Sequence, residues 1–268
     1  MQKGRTGSGS FPRKLTAILA MTAMSLSGHA ADNSIYIDQA GDNSTINVTQ
    51  DGAGNAVRGL PGVGTSNTTP MKISGDNNQV AITQTGSGNT LRMGIQTSTA
   101  STNPSVTYSQ TGNNALATID SNGDGTMTSG SNTISITQIG NAGITDVGVF
   151  GLENTVTSLQ TGGNNNNFTA TVTGDQNTIT NSNTGGGGNA TTITQTGDMH
   201  TATVTTIGAT NITNIIQSGG TSGHTATLSI NGSGNTTAIT QTGTAGNNLA
   251  SYTGTGSGNT VNLVQTNK

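Results

Sequence analysis

The chain repeats one nine-residue stretch, which reads Asn189-Ala-Thr-Thr-Ile-Thr-Gln195-Thr-Gly197 in one copy and Asn235-Thr-Thr-Ala-Ile-Thr-Gln241-Thr-Gly243 in another. Its pattern is Asn-x-Φ-x-Φ-x-Gln-x-Gly, where Φ is usually aliphatic. The six-residue offset between Asn and Gln gives both amides and both Φ positions the same parity, so all four point to one face of an extended strand. Thr and Ser occupy the other face. The alternation predicts a β-strand, and the Gly after Gln predicts a turn.

The same offset recurs along most of the chain. Glutamines from Gln195 onward are 22 to 24 residues apart, and a strand-like arm without Gln, such as His200 to Gly208, lies between them. One rung is therefore one strand-turn-strand unit, and about ten rungs fit between residues 33 and 267. The residues that we expect to form a self-assembly ladder are Gln39, Gln50, Gln84, Gln110, Gln138, Gln160, Gln195, Gln217, Gln241 and Gln265, with Asn33, Asn78, Asn132, Asn154, Asn189, Asn211, Asn235 and Asn259.

The repeat predicts an all-β fold, a two-sided β-solenoid of about ten strand-turn-strand rungs. Burial of three or four aliphatic side chains contributes about 8 kcal/mol per rung, whereas ordering a rung costs about 1 to 2 kcal/mol for each residue. A single rung is therefore unstable, and rungs must stack in register with Gln on Gln and Asn on Asn. We see no cap before Asn33 or after Gln265, so the stacking is expected to continue into the next molecule and build amyloid-like fibres.

The composition argues against several other functions. The chain has 41 Gly, 29% apolar residues, 2% aromatic residues and no cysteine, which is too little for the cores of conventional enzyme domains of this length. We expect no enzymatic activity and no cofactor. Lys and Arg do not occur between Arg92 and Lys268, so the basic stripe that nucleic acid would require is missing from the sequence.

Residues 1–30 have the pattern of a secretory signal. Four basic residues up to Lys14 precede an apolar run from Leu15 to Leu26, and Gly28-His29-Ala30 supplies the small residues of a cleavage site. The run has about 12 residues, whereas a membrane anchor needs about 20, so we expect cleavage before Ala31 and no insertion into a membrane. Residues 31–268 would then form the repeat domain of an exported protein.

Three further patterns have ordinary structural explanations. Asp120-Ser-Asn122-Gly-Asp124-Gly125 resembles the start of a calcium loop, but Ser131 stands where the bidentate Glu is required. His200 and His224 lie one rung apart, and we interpret them as replacements for the Asn that opens other arms, because a zinc site would need further ligands. Asp42, Asp76, Asp175 and Asp198 each follow a Gly and are expected at turns. We therefore expect no metal site.

The spacing is less regular before Gln195. Gln39 and Gln50 are 11 residues apart, Gln50 and Gln84 are 34 apart, and Gln160 and Gln195 are 35 apart. We interpret residues 97–105, 120–131 and 184–188 as inserted loops.

The repeats resemble those of the curlin family, the subunits of bacterial curli fibres. The family pattern, Ser/Asn-x5-Gln-x-Gly-x-Gly-Asn, is matched from Ser44 through Gln50 to Asn55 and from Asn78 through Gln84 to Asn89, with partial copies up to residue 267. The resemblance implies a functional extracellular amyloid of biofilm matrix and surface adhesion. It also implies export through the general secretory route, passage through an outer-membrane secretion channel, and polymerisation with itself on a nucleator subunit at the cell surface.

Two other functions fit the repeat. Rows such as Thr169-x-Thr171-x-Thr173, Thr192-x-Thr194-x-Thr196 and Thr201-x-Thr203-x-Thr205 would present flat threonine arrays, as on a monomeric ice-binding β-solenoid. Threonine also favours strands for reasons unconnected with ice. A β-solenoid adhesin is the other alternative, although such a protein would normally carry an anchoring or binding domain.

Overall fold

The protein is an all-β solenoid built from two parallel sheets. The structure, a computed structural model, describes the backbone of residues 18–23 and all of residues 32–60, 68–96, 104–121, 131–219, 223–244 and 247–267. In these ranges it contains strands and no helix.

Sheet A is ten-stranded and contains, in spatial order, β1 (Ile18–Ala23), β4 (Thr45–Asp51), β7 (Gln79–Thr85), β9 (Ser105–Thr111), β11 (Thr133–Ile139), β13 (Thr155–Gln160), β15 (Thr178–Gly185), β17 (Thr201–Gly208), β19 (Thr225–Asn231) and β21 (Leu249–Thr255). Sheet B is twelve-stranded and contains β2 (Ser34–Ile35), β3 (Ile37–Ala40), β5 (Ala56–Arg58), β6 (Met71–Ser74), β8 (Thr90–Gln96), β10 (Leu116–Ser121), β12 (Ile144–Phe150), β14 (Asn167–Thr173), β16 (Ala190–Thr196), β18 (Ile212–Ser218), β20 (Thr236–Gly243) and β22 (Thr260–Asn267).

Successive arms of the chain alternate between the two sheets, and each arm pairs in parallel with the arm one rung away. Gln195 lies beside Gln217, 22 residues on, and Gln217 beside Gln241, 24 residues on, so the expected rung length is confirmed. The solenoid makes about nine turns, close to the ten that were expected. Every second side chain points inward, and the apolar ones, such as Ile193, Val204 and Ile215, form a fully buried core between the sheets.

One inserted segment interrupts an arm of sheet B. Strands β5 and β6 lie at the same level, because both pair with β8, and residues 59–70 of the sequence lie between them. Of this insertion, residues 59–60 and 68–70 are described. This insertion explains the 34-residue spacing from Gln50 to Gln84, which spans one full turn. Most of the loops expected at residues 97–105 and 120–131 lies outside the described residues.

The loop expected at residues 184–188 is a wrong prediction. Thr184 and Gly185 end β15, and residues 186–189 make a short turn like those between other arms. The 35 residues from Gln160 to Gln195 therefore hold β14, β15 and β16, which is one and a half turns.

Most of the described turns share one backbone pattern. A Gly with positive φ ends the arm, one residue follows, and a second residue with positive φ precedes the residue that opens the next arm, as in Gly174, Asp175 and Gln176. The turn positions expected for the four aspartates that follow a Gly are confirmed.

Among the described strands, those at the two ends of each sheet pair with a neighbouring strand on one side only. Strand β1 pairs with β4 at the first edge of sheet A, with Ile18 beside Thr45 and Ala23 beside Gln50. At the other end β21 pairs with β19 and β22 pairs with β20.

Within the described ranges, no helix has the length and apolar character that crossing a bilayer requires.

Candidate functional site

The expected glutamine ladder is split between the two sheets. On sheet A the register aligns Gln50, Gln84, Gln110, Gln138 and Gln160, and the next position in this column is Asn183. On sheet B it aligns Gln195, Gln217, Gln241 and Gln265. The column changes sheet because one and a half turns separate Gln160 from Gln195. Gln39 belongs to neither run, since it lies beside Ile73 and its Nε2 donates to the carbonyl of Gly41, 2.8 Å away.

The second run is continuously hydrogen-bonded. Each Nε2 donates to the Oε1 of the next glutamine, at 2.8 Å from Gln195 to Gln217, 2.9 Å from Gln217 to Gln241 and 2.8 Å from Gln241 to Gln265. The same nitrogens also donate across the core to sheet A, for example from Gln241 to the carbonyl of Thr225 at 3.0 Å. The amides therefore join neighbouring rungs and also hold the two sheets of one rung together.

The first run is hydrogen-bonded in part. Gln50 Nε2 donates to Gln84 Oε1 at 2.8 Å, but the buried amides of Gln110 and Gln138 have no hydrogen-bond partner in the described structure. Gln160 accepts at 3.0 Å from the hydroxyl of Thr145 on the opposite sheet. Stacking in register therefore does not by itself produce the amide ladder expected along the whole column.

Asparagines that open the arms form two ladders, one for each sheet. Those before sheet B strands include Asn33, Asn189, Asn211, Asn235 and Asn259, and those before sheet A strands include Asn78, Asn132 and Asn154. In most of them Oδ1 accepts a hydrogen bond from the backbone N–H of the equivalent residue in the next rung. For example, Asn211 Oδ1 accepts from the N–H of Asn235 at 3.0 Å. Nδ2 donates to the carbonyl of a turn glycine in the next rung, as from Asn211 to Gly232 at 2.8 Å. Each side chain thus replaces backbone hydrogen bonds that the turn interrupts.

The expected ladder set omitted four asparagines with the same role. Asn55, Asn89, Asn166 and Asn177 open arms that have no Gln six residues later, and all four are buried. The sequence signal for them was present, because each follows a Gly-containing turn in the same way as the other arm-opening residues. The Asn ladder therefore depends on the turn and not on the glutamine six residues later.

His200 and His224 take the place of Asn at the start of β17 and β19, as expected. Their rings stack with centroids 5.0 Å apart. Nδ1 of His200 accepts from the backbone N–H of His224 at 3.0 Å, and Nδ1 of His224 accepts from that of Asn248 at 3.2 Å. Because Nδ1 is the acceptor, the proton of each neutral ring is on Nε2. Nε2 of His200 lies 3.2 Å from the carbonyl oxygen of Thr196.

The turns carry a third ladder, which runs in the opposite direction. Here the side chain of one turn accepts from the backbone N–H of the preceding turn, as Asp76 Oδ1 does from Asp42 at 2.7 Å and Asp198 Oδ1 does from Asp175 at 2.9 Å. Near the C-terminal end Ser257 Oγ accepts in the same way from Ser233 at 3.3 Å. The turn residues are therefore bonded into the stack.

The core is less covered at the two ends of the solenoid than in its middle. Ile35 and Ile37 at one end, and Tyr252 and Leu263 at the other, pack against the core but are only partly buried. The most exposed large apolar side chains, Leu249 at 67% and Val264 at 64%, both lie on the last two strands. Apolar surface and strand edges are thus exposed together at the C-terminal end.

The expected threonine rows lie on both sheets. Those at Thr169 and Thr192 are on sheet B, and the row at Thr201 is on sheet A. The outer surface of sheet A carries the longer array, because one column reads Thr107, Ser135, Thr157, Thr180, Thr203, Thr227 and Ser251 across successive strands. On sheet B the corresponding run is shorter, reading Thr173, Thr196, Ser218, Thr242 and Thr266. Both outer surfaces also carry exposed apolar side chains, such as Leu159 on sheet A and Ile212 on sheet B.

Among the described residues, no group of three or more His, Cys, Asp and Glu side chains could hold a metal ion. The loop with the calcium-like pattern lies mostly outside these residues. Comparison with protein-family models, with curated proteins and with solved structures found no match to this chain.

Proposed function

We propose that this chain is an exported structural subunit that assembles with itself into extracellular amyloid-like fibres by stacking rungs of one molecule on those of the next. The fibres would act as biofilm matrix and in surface adhesion. The proposal rests mainly on one observation, made at the C-terminal end of the described solenoid. There, two strands each have one edge without a neighbouring strand, the core is partly exposed, and the Asn and Gln ladders end at Asn259 and Gln265.

The chemistry of this end supports pairing with another strand. Asn259 Oδ1, as an acceptor, and Gln265 Nε2, as a donor, are the groups that would continue the ladders beyond the outermost strand, and Val264 exposes apolar surface beside them. An edge with these features is a template for adding a strand of like sequence. A contact between two different surfaces of identical subunits produces a filament when, as in stacking along the solenoid axis, it does not close into a ring.

The N-terminal sequence and the curlin-like repeats support the rest of the proposal. Residues 1–30 would direct export and be removed, and an outer-membrane secretion channel and a nucleator subunit would be the further partners. The fibre would lie outside the cell, at its surface.

The test is assembly of the chain exported by a bacterial host that carries the full sequence. We expect material outside the cells that binds thioflavin T, forms unbranched fibres in electron micrographs and seeds further growth. A chain that is exported and stays monomeric at high concentration, with or without added seeds, would contradict the proposal.

A monomeric ice-binding protein is the second candidate, and the Ser/Thr columns of sheet A favour it. Strands spaced by about 4.8 Å would present these hydroxyls and methyls as a regular, flat grid. The test is thermal hysteresis of the monomer, compared between Thr180→Lys on sheet A and Thr192→Lys on sheet B. Hysteresis in the wild type that is abolished by Thr180→Lys and retained by Thr192→Lys would favour this function over fibre assembly.

A further inference from the structure

Two rungs in the middle of the chain differ from the others in the residues that form side-chain ladders. They are the rung of β9 and β10 and the rung of β11 and β12, and the contact between them is the mid-chain interface. Its backbone pairings, β9 with β11 and β10 with β12, keep the ordinary parallel register. Three buried polar ladders are interrupted at this interface.

On sheet A, a proline takes the place of the asparagine that opens an arm. Backbone hydrogen bonds place Pro104 in the column between Asn78 and Asn132. Proline has no N–H to donate, and the buried Asn78 Oδ1 accordingly has no hydrogen-bond partner in the described structure. Pro104 also has no amide that could accept from the N–H of Asn132. This ladder is therefore interrupted on both sides of β9.

On sheet B, two successive residues that open arms lack an amide. Backbone hydrogen bonds continue the column from Asn89 through Ala115 and Gly143 to Asn166. Asn89 Oδ1 still accepts from the N–H of Ala115 at 3.1 Å. Neither Ala115 nor Gly143 has a side chain that can accept from the next rung or donate to its turn. The ladder resumes at Asn166, whose Oδ1 accepts from the N–H of Asn189 at 3.1 Å.

The glutamines of these two rungs are buried without partners. Gln110 and Gln138 lie in register and are 0% and 2% exposed, yet neither amide atom of either side chain is hydrogen-bonded in the described structure. The hydroxyl of Tyr108, also buried on β9, has no partner there either. In a rung of the second run, by contrast, Gln217 Nε2 donates to Gln241 Oε1 at 2.9 Å.

The interrupted ladders adjoin each other at the start of β12. A Cβ added to Gly143 would collide with Gln138 Nε2. The Gln138 amide therefore occupies space that an arm-opening asparagine would use, and it gains no hydrogen bond there.

Apolar packing and backbone pairing hold the mid-chain interface together. Ile119 on β10 and Ile134 and Ile136 on β11 are buried, and at the exposed turn the N–H of Asn113 donates to Asn141 Oδ1 at 2.7 Å. Buried amides without partners oppose this packing, because they lose their hydration on folding and gain no hydrogen bond. Opening the interface returns them to water, so it costs less free energy than opening rungs whose ladders are continuous.

We propose that the solenoid opens first at the mid-chain interface. The strands up to β10 stay together as one unit, and the strands from β11 to β22 stay together as another. Opening uncovers one edge each of β9, β10, β11 and β12, and uncovered edges of this kind pair readily with other strands. The interface lies within one chain, so the proposal holds for a monomer as well as for a fibre.

Hydrogen–deuterium exchange of the full exported chain, followed by mass spectrometry of peptides, tests the proposal. The comparison region is β16 to β19, where the ladders of arm-opening residues are continuous on both sheets. We expect backbone amides of β9 to β12 to exchange about tenfold faster than those of β16 to β19. Equal exchange in the two regions would overturn the proposal.

Replacing one glutamine in each region should have opposite effects. Gln138→Leu removes a buried amide that has no partner, so exchange in β9 to β12 should slow by about threefold. The matched variant Gln217→Leu removes an amide that donates to Gln241, so exchange in β16 to β19 should become about tenfold faster. Faster exchange of β9 to β12 in Gln138→Leu would show that this amide is hydrogen-bonded in solution, and it would overturn the proposal.

A second pair of variants applies if Gln138→Leu does not fold. Pro104→Asn supplies an N–H for Asn78 Oδ1 and an amide for the N–H of Asn132, whereas Pro104→Ala supplies the N–H alone. Both variants lose the proline ring, so the difference between them measures the effect of the amide. We expect exchange in β9 to β12 to be about threefold slower in Pro104→Asn than in Pro104→Ala. Equal rates in these two variants would contradict the proposal.

Discussion

At the scale of single residues, the buried amides at the starts of the arms hold the stack together. Asn211 is buried; its Oδ1 accepts from the backbone N–H of Asn235 and its Nδ2 donates to the carbonyl of Gly232. Asn211→Ala leaves both backbone groups without these partners, and we expect it to lower the free energy of unfolding by about 2 to 3 kcal/mol. Urea denaturation of the monomeric chain measures this loss.

The matched control is Asn214→Ala on the same strand, because the Asn214 side chain is exposed on the outer surface. We expect it to change the free energy of unfolding by less than about 0.5 kcal/mol. Similar losses in the two variants would show that the arm-opening amides do not stabilise the stack.

His200 makes the stability of the fold depend on pH. Burial lowers the pKa of the His200 imidazole below its ordinary value, an effect that the carbonyl of Thr196 and the carboxylate of Asp198 partly offset and that the neighbouring His224 reinforces. The unfolded chain therefore binds more protons than the folded chain at pH values below about 6.5 and above the folded pKa. The contribution of His200 is complete above about pH 6.5, and it is lost as the pH falls towards the folded pKa.

We therefore expect the free energy of unfolding to fall between about pH 7.5 and about pH 5. Protonation of His200 at Nδ1 also removes the acceptor for the N–H of His224. The variant His200→Asn keeps a side-chain acceptor for the N–H of His224 and removes the titration of His200. Its stability should fall less over the same range, and an equal fall in both proteins would contradict the role assigned to His200.

At the scale of the strand and turn, the close stacking of turns restricts which residues can end an arm. Gly174 has φ +120°, and a Cβ added there would collide with the backbone carbonyl oxygen of Gly197 in the next rung. We expect Gly174→Ala to cost about 3 kcal/mol, from backbone strain together with the collision. Gly256→Ala has a comparable positive φ, +102°, but the nearest atom to its added Cβ is Asn259 Nδ2, 3.6 Å away, so we expect a smaller cost of about 1 to 2 kcal/mol from backbone strain alone. Thermal or urea unfolding compares the two, and equal costs would exclude the collision as a cause.

The sequence predicted the strands, their inward face and the rung length, because the parity of Asn, Φ and Gln fixes which side chains share a face. It did not predict the change of sheet. The spacings from Gln50 to Gln84 and from Gln160 to Gln195 are nearly equal, yet one is a whole turn with an insertion and the other is one and a half turns. Counting the chain reversals between arms would have separated them, since Gly174 begins an additional complete reversal within the second interval.

At the scale of the whole molecule, contacts between copies should be more sensitive to the last rung than to the middle ones. Gln265 lies at the edge where the next copy would bind, whereas Gln138 is buried inside the subunit. We expect Gln265→Ala to slow seeded fibre growth by about tenfold, equivalent to the loss of one hydrogen bond of about 1.4 kcal/mol. We also expect Gln39→Ala, at the first rung, to slow growth more than Gln138→Ala does. Equal elongation rates for the three variants, followed by thioflavin T fluorescence, would contradict an assembly contact at the ends.

X-ray diffraction from aligned fibres of the exported chain tests the central claim, that rungs stack across molecules as they stack within one. The account predicts a sharp meridional reflection at about 4.8 Å, from strands perpendicular to the fibre axis, with an equatorial reflection near 10 Å from the two packed sheets. A sample that stays monomeric at high concentration, or fibres without the meridional reflection, would contradict it.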